Sequence, residues 1–294
     1  MTLKSYNDYR NGKPCAIIYD LLEKEEKQIC SPVYAVDQDG KYAYTLDFYR
    51  LERLRPGYGY CNEKDKYENI ELPTGFCLNR IDLLKNECVG IVTYERLFML
   101  ETKDSMIGAH HKINHIMINP EGTRIMFIHR WKKNENSYSR LLACDTNGEK
   151  LSIVSDEDFV SHCTWLDNER ILGFVQKDNI KGYYIMDSYS GKYSRIWEEL
   201  KVDGHPSVHY LSGVAITDTY PDRSRMASIF QIDRRGNISK IVECFSPMKY
   251  FAEFRCDLHP RFSRNGKKIC FDSTHEGKRA MYVVELFNEN RDNR

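Results

Sequence analysis

A hairpin that keeps returning is the feature that most constrains this chain. An apolar strand, an acidic residue and a polar turn into a second strand occur at Ala16-Ile17-Ile18-Tyr19-Asp20, Leu78-Asn79-Arg80-Ile81-Asp82 and Leu141-Leu142-Ala143-Cys144-Asp145. The unit recurs at Tyr184-Ile185-Met186-Asp187, Phe230-Gln231-Ile232-Asp233 and Tyr282-Val283-Val284-Glu285. The acidic positions lie 62, 63, 42, 46 and 52 residues apart, and Gly148, Gly191 and Gly236 follow three of them. Tight hairpin turns require positive φ, which glycine adopts without strain. Self-similarity at such periods marks a solenoid, a propeller or an array.

A second hairpin alternates with the first. Ile118-Asn119-Pro120-Glu121-Gly122 leads into Thr123-Arg124-Ile125-Met126-Phe127, and Phe262-Ser263-Arg264-Asn265-Gly266 into Lys267-Lys268-Ile269-Cys270-Phe271. Val36-Asp37-Gln38-Asp39-Gly40 and Trp165-Leu166-Asp167-Asn168-Glu169 begin weaker copies. Two hairpins per repeat make a four-stranded antiparallel blade, so the expected fold is all-β, a β-propeller. Five inner and six outer hairpins are visible, giving five to six blades, or seven if an N-terminal portion is missing. The chain opens on an outer hairpin at 14–31 without an inner partner and closes after a third strand near Phe287. Either that hairpin completes the last blade or the N-terminus is incomplete. Residues 1–294 read as one propeller domain, and an aromatic content of 12% with 20 Tyr favours strands over helices.

Composition narrows the function. Lys+Arg and Asp+Glu both number 43, so the basic excess typical of a nucleic-acid binder is absent. No stretch approaches the roughly 20 apolar residues of a membrane helix, and the N-terminus lacks the apolar core of a signal peptide. The 10 cysteines are scattered without a CxxC pair, as free thiols in a reducing compartment would be, which implies a cytoplasmic protein. There is no GxSxG elbow, Walker loop, GxGxxG turn or HExxH helix.

One excursion breaks the repeat. Residues 48–76 form a long rim loop, aromatic and basic, in which Arg50, Arg53 and Arg55 could offer guanidinium forks to carboxylates. The alternative is a loop packed over one face, with its arginines paired to Glu52 and neighbouring acids.

Histidines carry the chemical signal. His115, His162, His205, His209 and His259 fall at or beside the start of innermost strands, where a propeller gathers residues distant in sequence. Such convergence suits a metal or acid–base site. The alternative is a set of polar plugs hydrogen-bonded to backbone. His205-Pro206 and His259-Pro260 share a context, and imidazoles with a carboxylate such as Asp257 suit Mn, Zn or a related divalent ion. His129 and Arg130 lie at the far end of an inner strand, as rim residues or substrate contacts. His110 and His111 read as a solvated loop pair, and His275 as a turn residue.

On these residues the sequence resembles the oligogalacturonate lyase family and related TolB/WD40-like propellers. The likeness rests on the Asp/Asn-Gly inner hairpins, His162-x-x-Trp165, Gly204-His205-Pro206 and His259-Pro260-Arg261-Phe262-Ser263. It extends over most of the chain, although only the histidines are specific. The resemblance implies a seven-bladed propeller with a manganese-type ion, Zn or Ca being alternatives, held on histidines beside a histidine base and an arginine. By motif match, His205 and His259 would be metal ligands and His162 the base. Asp257 would complete the metal site, and Arg130 or Arg50 would hold the substrate carboxylate, with Arg53, Arg55, His115 and His129 as further substrate contacts. The sequence departs from the pattern twice. Asp257-Leu258-His259 stands where the family has His-Pro-His, and Phe254 falls on a glutamine ligand, with Glu253 a candidate replacement.

The implied reaction is metal-assisted β-elimination on an oligosaccharide containing uronic acid. Removing the proton beside a carboxylate demands that its charge be neutralised by a metal or arginine, and a histidine can then act as base. This reading makes the protein a carbohydrate-active lyase whose partner is an acidic oligosaccharide, with neither nucleic acid nor membrane involved. Two alternatives stand beside it. One is a non-catalytic propeller binding a glycan or protein through its rim loop, the other a hydrolase or epimerase of uronic sugars.

Overall fold

Six antiparallel sheets follow one another along the chain in a computed structural model that describes residues 3–286, the side chain of Glu253 excepted. The chain divides into two compact units at Asp158–Phe159, with the turn Ser188–Ser190 belonging to the first.

The first unit holds three sheets. Strands β1 (Leu3–Arg10), β2 (Lys13–Asp20) and β3 (Glu26–Ile29) form one, and β4 (Ala35–Val36), β5 (Tyr42–Thr45), β6 (Phe76–Asp82) and β7 (Glu87–Thr93) the next. The third comprises β8 (His110–Ile118), β9 (Arg124–Lys133), β10 (Asn136–Asp145) and β11 (Ser152–Ser155). Buried Tyr44, Leu51, Leu78, Leu97, Phe127 and Leu142 share one apolar cluster that joins the second and third sheets. Each such side chain contributes about 1.5–3 kcal/mol by leaving water.

The second unit repeats the plan. Its sheets are β12 (Val160–Trp165) to β15 (Tyr193–Ile196) by way of β13 (Arg170–Lys177) and β14 (Ile180–Asp187), then β16 (Ser207–His209), β17 (Val214–Asp218), β18 (Met226–Ile232) and β19 (Ile238–Phe245). The last is β20 (Arg261–Phe262), β21 (Lys268–Ser273) and β22 (Ala280–Glu285). Leu172, Phe174, Tyr183 and Ala215 form one core, and Ile216, Ile229, Leu258, Ile269 and Phe271 another.

The fold is therefore an all-β propeller of six blades, each a sheet of three or four strands. The seventh blade implied by the resemblance is not found among the described residues, and Phe287 lies outside them. The outer hairpin expected at 14–31 pairs with β1 in a sheet of its own. Asn11 and Gly12 turn β1 into β2 with φ of 52° and 72°, the two positive values a tight hairpin needs.

The excursion after β5 is not all loop. Asp47 accepts hydrogen bonds from the backbone N–H groups of Tyr49 and Arg50 and so starts a helix, α1 (Phe48–Leu54). Glu52 then gathers the backbone N–H groups of Gly57, Tyr58 and Gly59 at 2.9–3.1 Å. A second short helix, α2 (Tyr94–Met99), follows β7. No helix among the described residues is long and apolar enough to cross a membrane. All ten cysteines are free.

Candidate functional site

Three of the expected histidines meet in the second unit. The His205 ring stacks on His259 with centroids 3.8 Å apart and lies 4.1 Å from the His162 ring. Three separate segments deliver them: His162 from β12, His205 from the loop before β16 and His259 from the loop before β20.

Asp218, at the end of β17, builds this arrangement. Its Oδ1 accepts from the His205 backbone N–H at 2.6 Å and from His205 Nδ1 at 2.9 Å, while Oδ2 accepts from the His259 backbone N–H at 2.8 Å. The approach is possible because residue 204 is glycine: a Cβ there would collide with the Asp218 carbonyl oxygen. His259 is held with φ of 48°, a left-handed conformation uncommon for a side-chain-bearing residue. Backbone strain at functional sites persists where the surroundings over-determine it, and here Asp218 fixes the His259 amide.

Electrostatics divides the histidines. Burial pulls the His205 pKa down, but the hydrogen bond and charge of Asp218, with Asp257 and Asp203 behind it, outweigh burial and raise it above the ordinary value. Asp218 is buried, yet its bonds to His205 and the His259 amide hold its carboxyl low. Both shifts favour an imidazolium on a carboxylate. His259 keeps an exposed edge, but its enclosed face and the neighbouring His205 push it down to about 4. A ring biased toward its cation and one biased toward the neutral form therefore lie in contact.

His162 has its own carboxylate. Its Nδ1 lies 3.1 Å from Asp203 Oδ1, and Ser161 donates its hydroxyl to Asp203 Oδ2 at 2.5 Å. A carboxylate at Nδ1 favours the tautomer that leaves Nε2 as the acceptor. Tyr220 borders the group, its ring 5.8 Å from His205 and 6.3 Å from His162. The Arg255 guanidinium sits 4.8 Å above Tyr220 and forms a 2.9 Å ion pair with Asp257.

The expected metal site does not assemble from these residues. Among the described residues, no three His, Cys, Asp or Glu side chains converge in a way that would hold an ion. Asp218 already takes His205 Nδ1, Asp257 is ion-paired with Arg255, and the His205 and His259 rings lie face to face, their planes only 28° apart. Lone pairs in the planes of stacked rings run side by side. Phe254 is exposed, and the Glu253 side chain lies outside the described residues.

The expected arginines, with His115 and His129, lie in the first unit. Arg50 is fully buried and donates to the carbonyls of His111, Tyr67, Ile70 and Glu71 and to Asp65, so a substrate carboxylate has no access to it. Arg53 shares Asp65, while Arg55 stacks on Tyr58 at 4.0 Å. Arg130 donates Nε–H to Asn114 Oδ1, and the His115 amide donates to the Tyr34 hydroxyl.

His129 is wholly buried rather than on a rim, and His111 is interior too, which corrects the expected solvated loop pair. His111 is the second residue of the long β8, and β9 brings His129 against it, Nδ1 to Nε2 at 2.9 Å. His209 spends both ring nitrogens, on Ser212 and the Arg264 carbonyl, as a polar plug would.

Sequence reasoning passed over Asp218, Asp203, Tyr220 and Arg255. The one signal for Asp218 was a carboxylate closing the short apolar strand Val214–Asp218, a pattern shared with every outer hairpin here.

No protein-family model matches this chain, and no curated protein matches it. Solved structures do. TolB from Acinetobacter baumannii superposes with a TM-score of 0.56 at 12% identity, covering 92% of this chain and 57% of its own, so the chain spans little more than half of that protein. An oligogalacturonate lyase in complex with manganese gives 0.53 at 11% identity, covering 97% of this chain and 86% of its own. The β-propeller domain of the Trilobed protease from Pyrococcus furiosus gives 0.60 at 14%, covering 97% and 79%. A TolB protein, a lyase and a protease domain share no single activity, and what this chain holds in common with all three is the propeller fold.

Proposed function

We propose that the histidine cluster of the second unit is an acid–base site acting on a carboxylate-bearing sugar, by β-elimination of a uronic-acid-containing oligosaccharide. The observation that carries this reading is the stack of His205 against His259, with His162 alongside. In it a buried cation neighbours imidazoles that can accept protons. His205, expected as a metal ligand, is instead the group that donates from Nε2 to the substrate carboxylate, its Nδ1 being held by Asp218. Its Asp218-held charge makes the adjacent C–H more acidic by stabilising the charge that develops on the carboxylate. His162, oriented by Asp203, takes the proton at Nε2. The C–H electron pair becomes the new C=C bond. The glycosidic C–O pair leaves with the oxygen, which takes a proton from water. No metal enters this scheme.

The test is to incubate the protein with uronic-acid oligosaccharides in a chelating buffer and follow the ultraviolet absorbance of the unsaturated product. Turnover without added metal that is lost in His162→Ala and His205→Gln is the expected result. Turnover restored only by manganese, a saturated hydrolysis product, or saturable binding with no product would each overturn it.

A further inference from the structure

The last sheet is open on one side. In the third, fourth and fifth sheets the third strand along the chain is covered by a fourth: β10 by β11, β14 by β15 and β18 by β19. β22 is the third strand of the last sheet, and among the described residues nothing pairs with its outer edge. Its side chains alternate, with Met281, Val283 and Glu285 on the exposed side, the first two 66% and 57% exposed although apolar.

Hydrogen-bond parity decides which backbone groups face that edge. β21 and β22 pair in the register Ile269↔Val284 and Phe271↔Tyr282, and one step beyond the strand the Leu286 N–H donates to the Lys267 carbonyl. In an antiparallel ladder, hydrogen-bonded pairs alternate with non-bonded ones. Ala280, Tyr282 and Val284 therefore turn their N–H and C=O groups to β21. Met281, Val283 and Glu285, with Arg279 just before the strand, turn theirs outward, and an edge of this kind is a template for another strand.

One register serves both the backbone and the charges of a second copy. Antiparallel pairing about a two-fold axis through Tyr282 sets Met281 against the partner's Val283 and Arg279 against the partner's Glu285, each contact occurring twice. All are outward-facing residues, so each pair can exchange two N–H···O bonds. A shift of one residue sets outward groups against inward ones, and a shift of two leaves the charges unmatched. Arg279 and Glu285 are both mostly exposed, at 3.8 Å from Asp272 and 3.0 Å from Lys268, and can turn to a partner.

We infer that β22 is a self-association edge, on which a second copy of this chain docks and joins the two last sheets into one continuous sheet. Two-fold pairing uses up the open edge on both copies, so the assembly closes at the dimer.

Light scattering of the full chain across a dilution series tests the inference, with a monomer–dimer equilibrium as the expected result. Val283→Pro removes an outward N–H and spares the β21 ladder. It is expected to weaken the dimer about a hundredfold while leaving the circular dichroism spectrum unchanged. Arg279→Glu and Glu285→Arg each place like charges across the axis and are expected to weaken it about tenfold. Mixing those two variants, or combining both changes in one chain, is expected to restore it. A monomer at every concentration, a dimer indifferent to Val283→Pro, association that continues past two copies, or charge variants that do not recover on mixing would overturn the inference.

Discussion

Asp218 grips His205 twice, once at the backbone N–H and once at the ring Nδ1, with both contacts within 2.9 Å. Asp218→Asn removes the negative charge and sets an amide N–H against donors it cannot serve. The expected loss is about 3–5 kcal/mol, as when one partner of a buried pair is deleted. The pH dependence identifies the pair. His205 is raised from 6.5, so its contribution is complete below that value and fades as pH rises through the folded pKa. Asp218 is lowered from 3.8, so its contribution is complete above that value and fades as pH falls through the folded pKa. The stability gap between wild type and Asp218→Asn, measured by denaturant unfolding, should therefore be widest between those two values and narrow on either side.

Acid should loosen the first unit through a different pair. His111 Nε2 lies 3.0 Å from the Met106 carbonyl, and Arg140 donates Nε–H to His129 Nδ1 at 3.2 Å. With the His111–His129 bond between them, every ring nitrogen is satisfied when both rings are neutral. Burial pushes His111 down to about 4 and His129 well below its ordinary value. The unfolded chain then binds more protons than the folded one below about pH 6.5, so stability falls as pH drops from there. His111 alone accounts for on the order of 3 kcal/mol by pH 4. Trp131, 5.1 Å from His129, reports the change, and its fluorescence in His129→Gln should hold to lower pH than in the wild type.

Gly204→Ala is a steric test of the site. The added Cβ meets the Asp218 carbonyl, a backbone atom with no room to yield. A loss of about 1–3 kcal/mol is expected from overpacking, together with loss of the proposed elimination, since displacing residue 204 moves His205 off Asp218. A variant that keeps both its melting temperature and its turnover would contradict this.

The blades were legible because their turns are local: Asn119-Pro120-Glu121-Gly122 and Arg264-Asn265-Gly266 encode hairpins within a few residues. β1 was not, because Leu3, Tyr6 and Tyr9 are all exposed and give no clean apolar alternation. The meeting of His162, His205 and His259 was readable from their equivalent places in the repeat. Their chemistry was not, because Asp218 decides it and looks in sequence like any strand-closing acid. His111 was misjudged for a related reason. Its partner His129 is 18 residues away on the next strand, and only their pairing takes both out of water.

Arg50 joins α1 to residues as distant as His111, 61 positions along the chain. Its guanidinium reaches the carbonyls of Tyr67, Ile70 and Glu71, which lie in the stretch between α1 and β6, and the His111 N–H adds a second bond to the Glu71 carbonyl. A segment in which one buried side chain holds three carbonyls loosens when that side chain lets go. Hydrogen exchange over 55–75 should consequently show its amides opening together, at a free energy below that of the flanking strands and governed by the release of this single side chain.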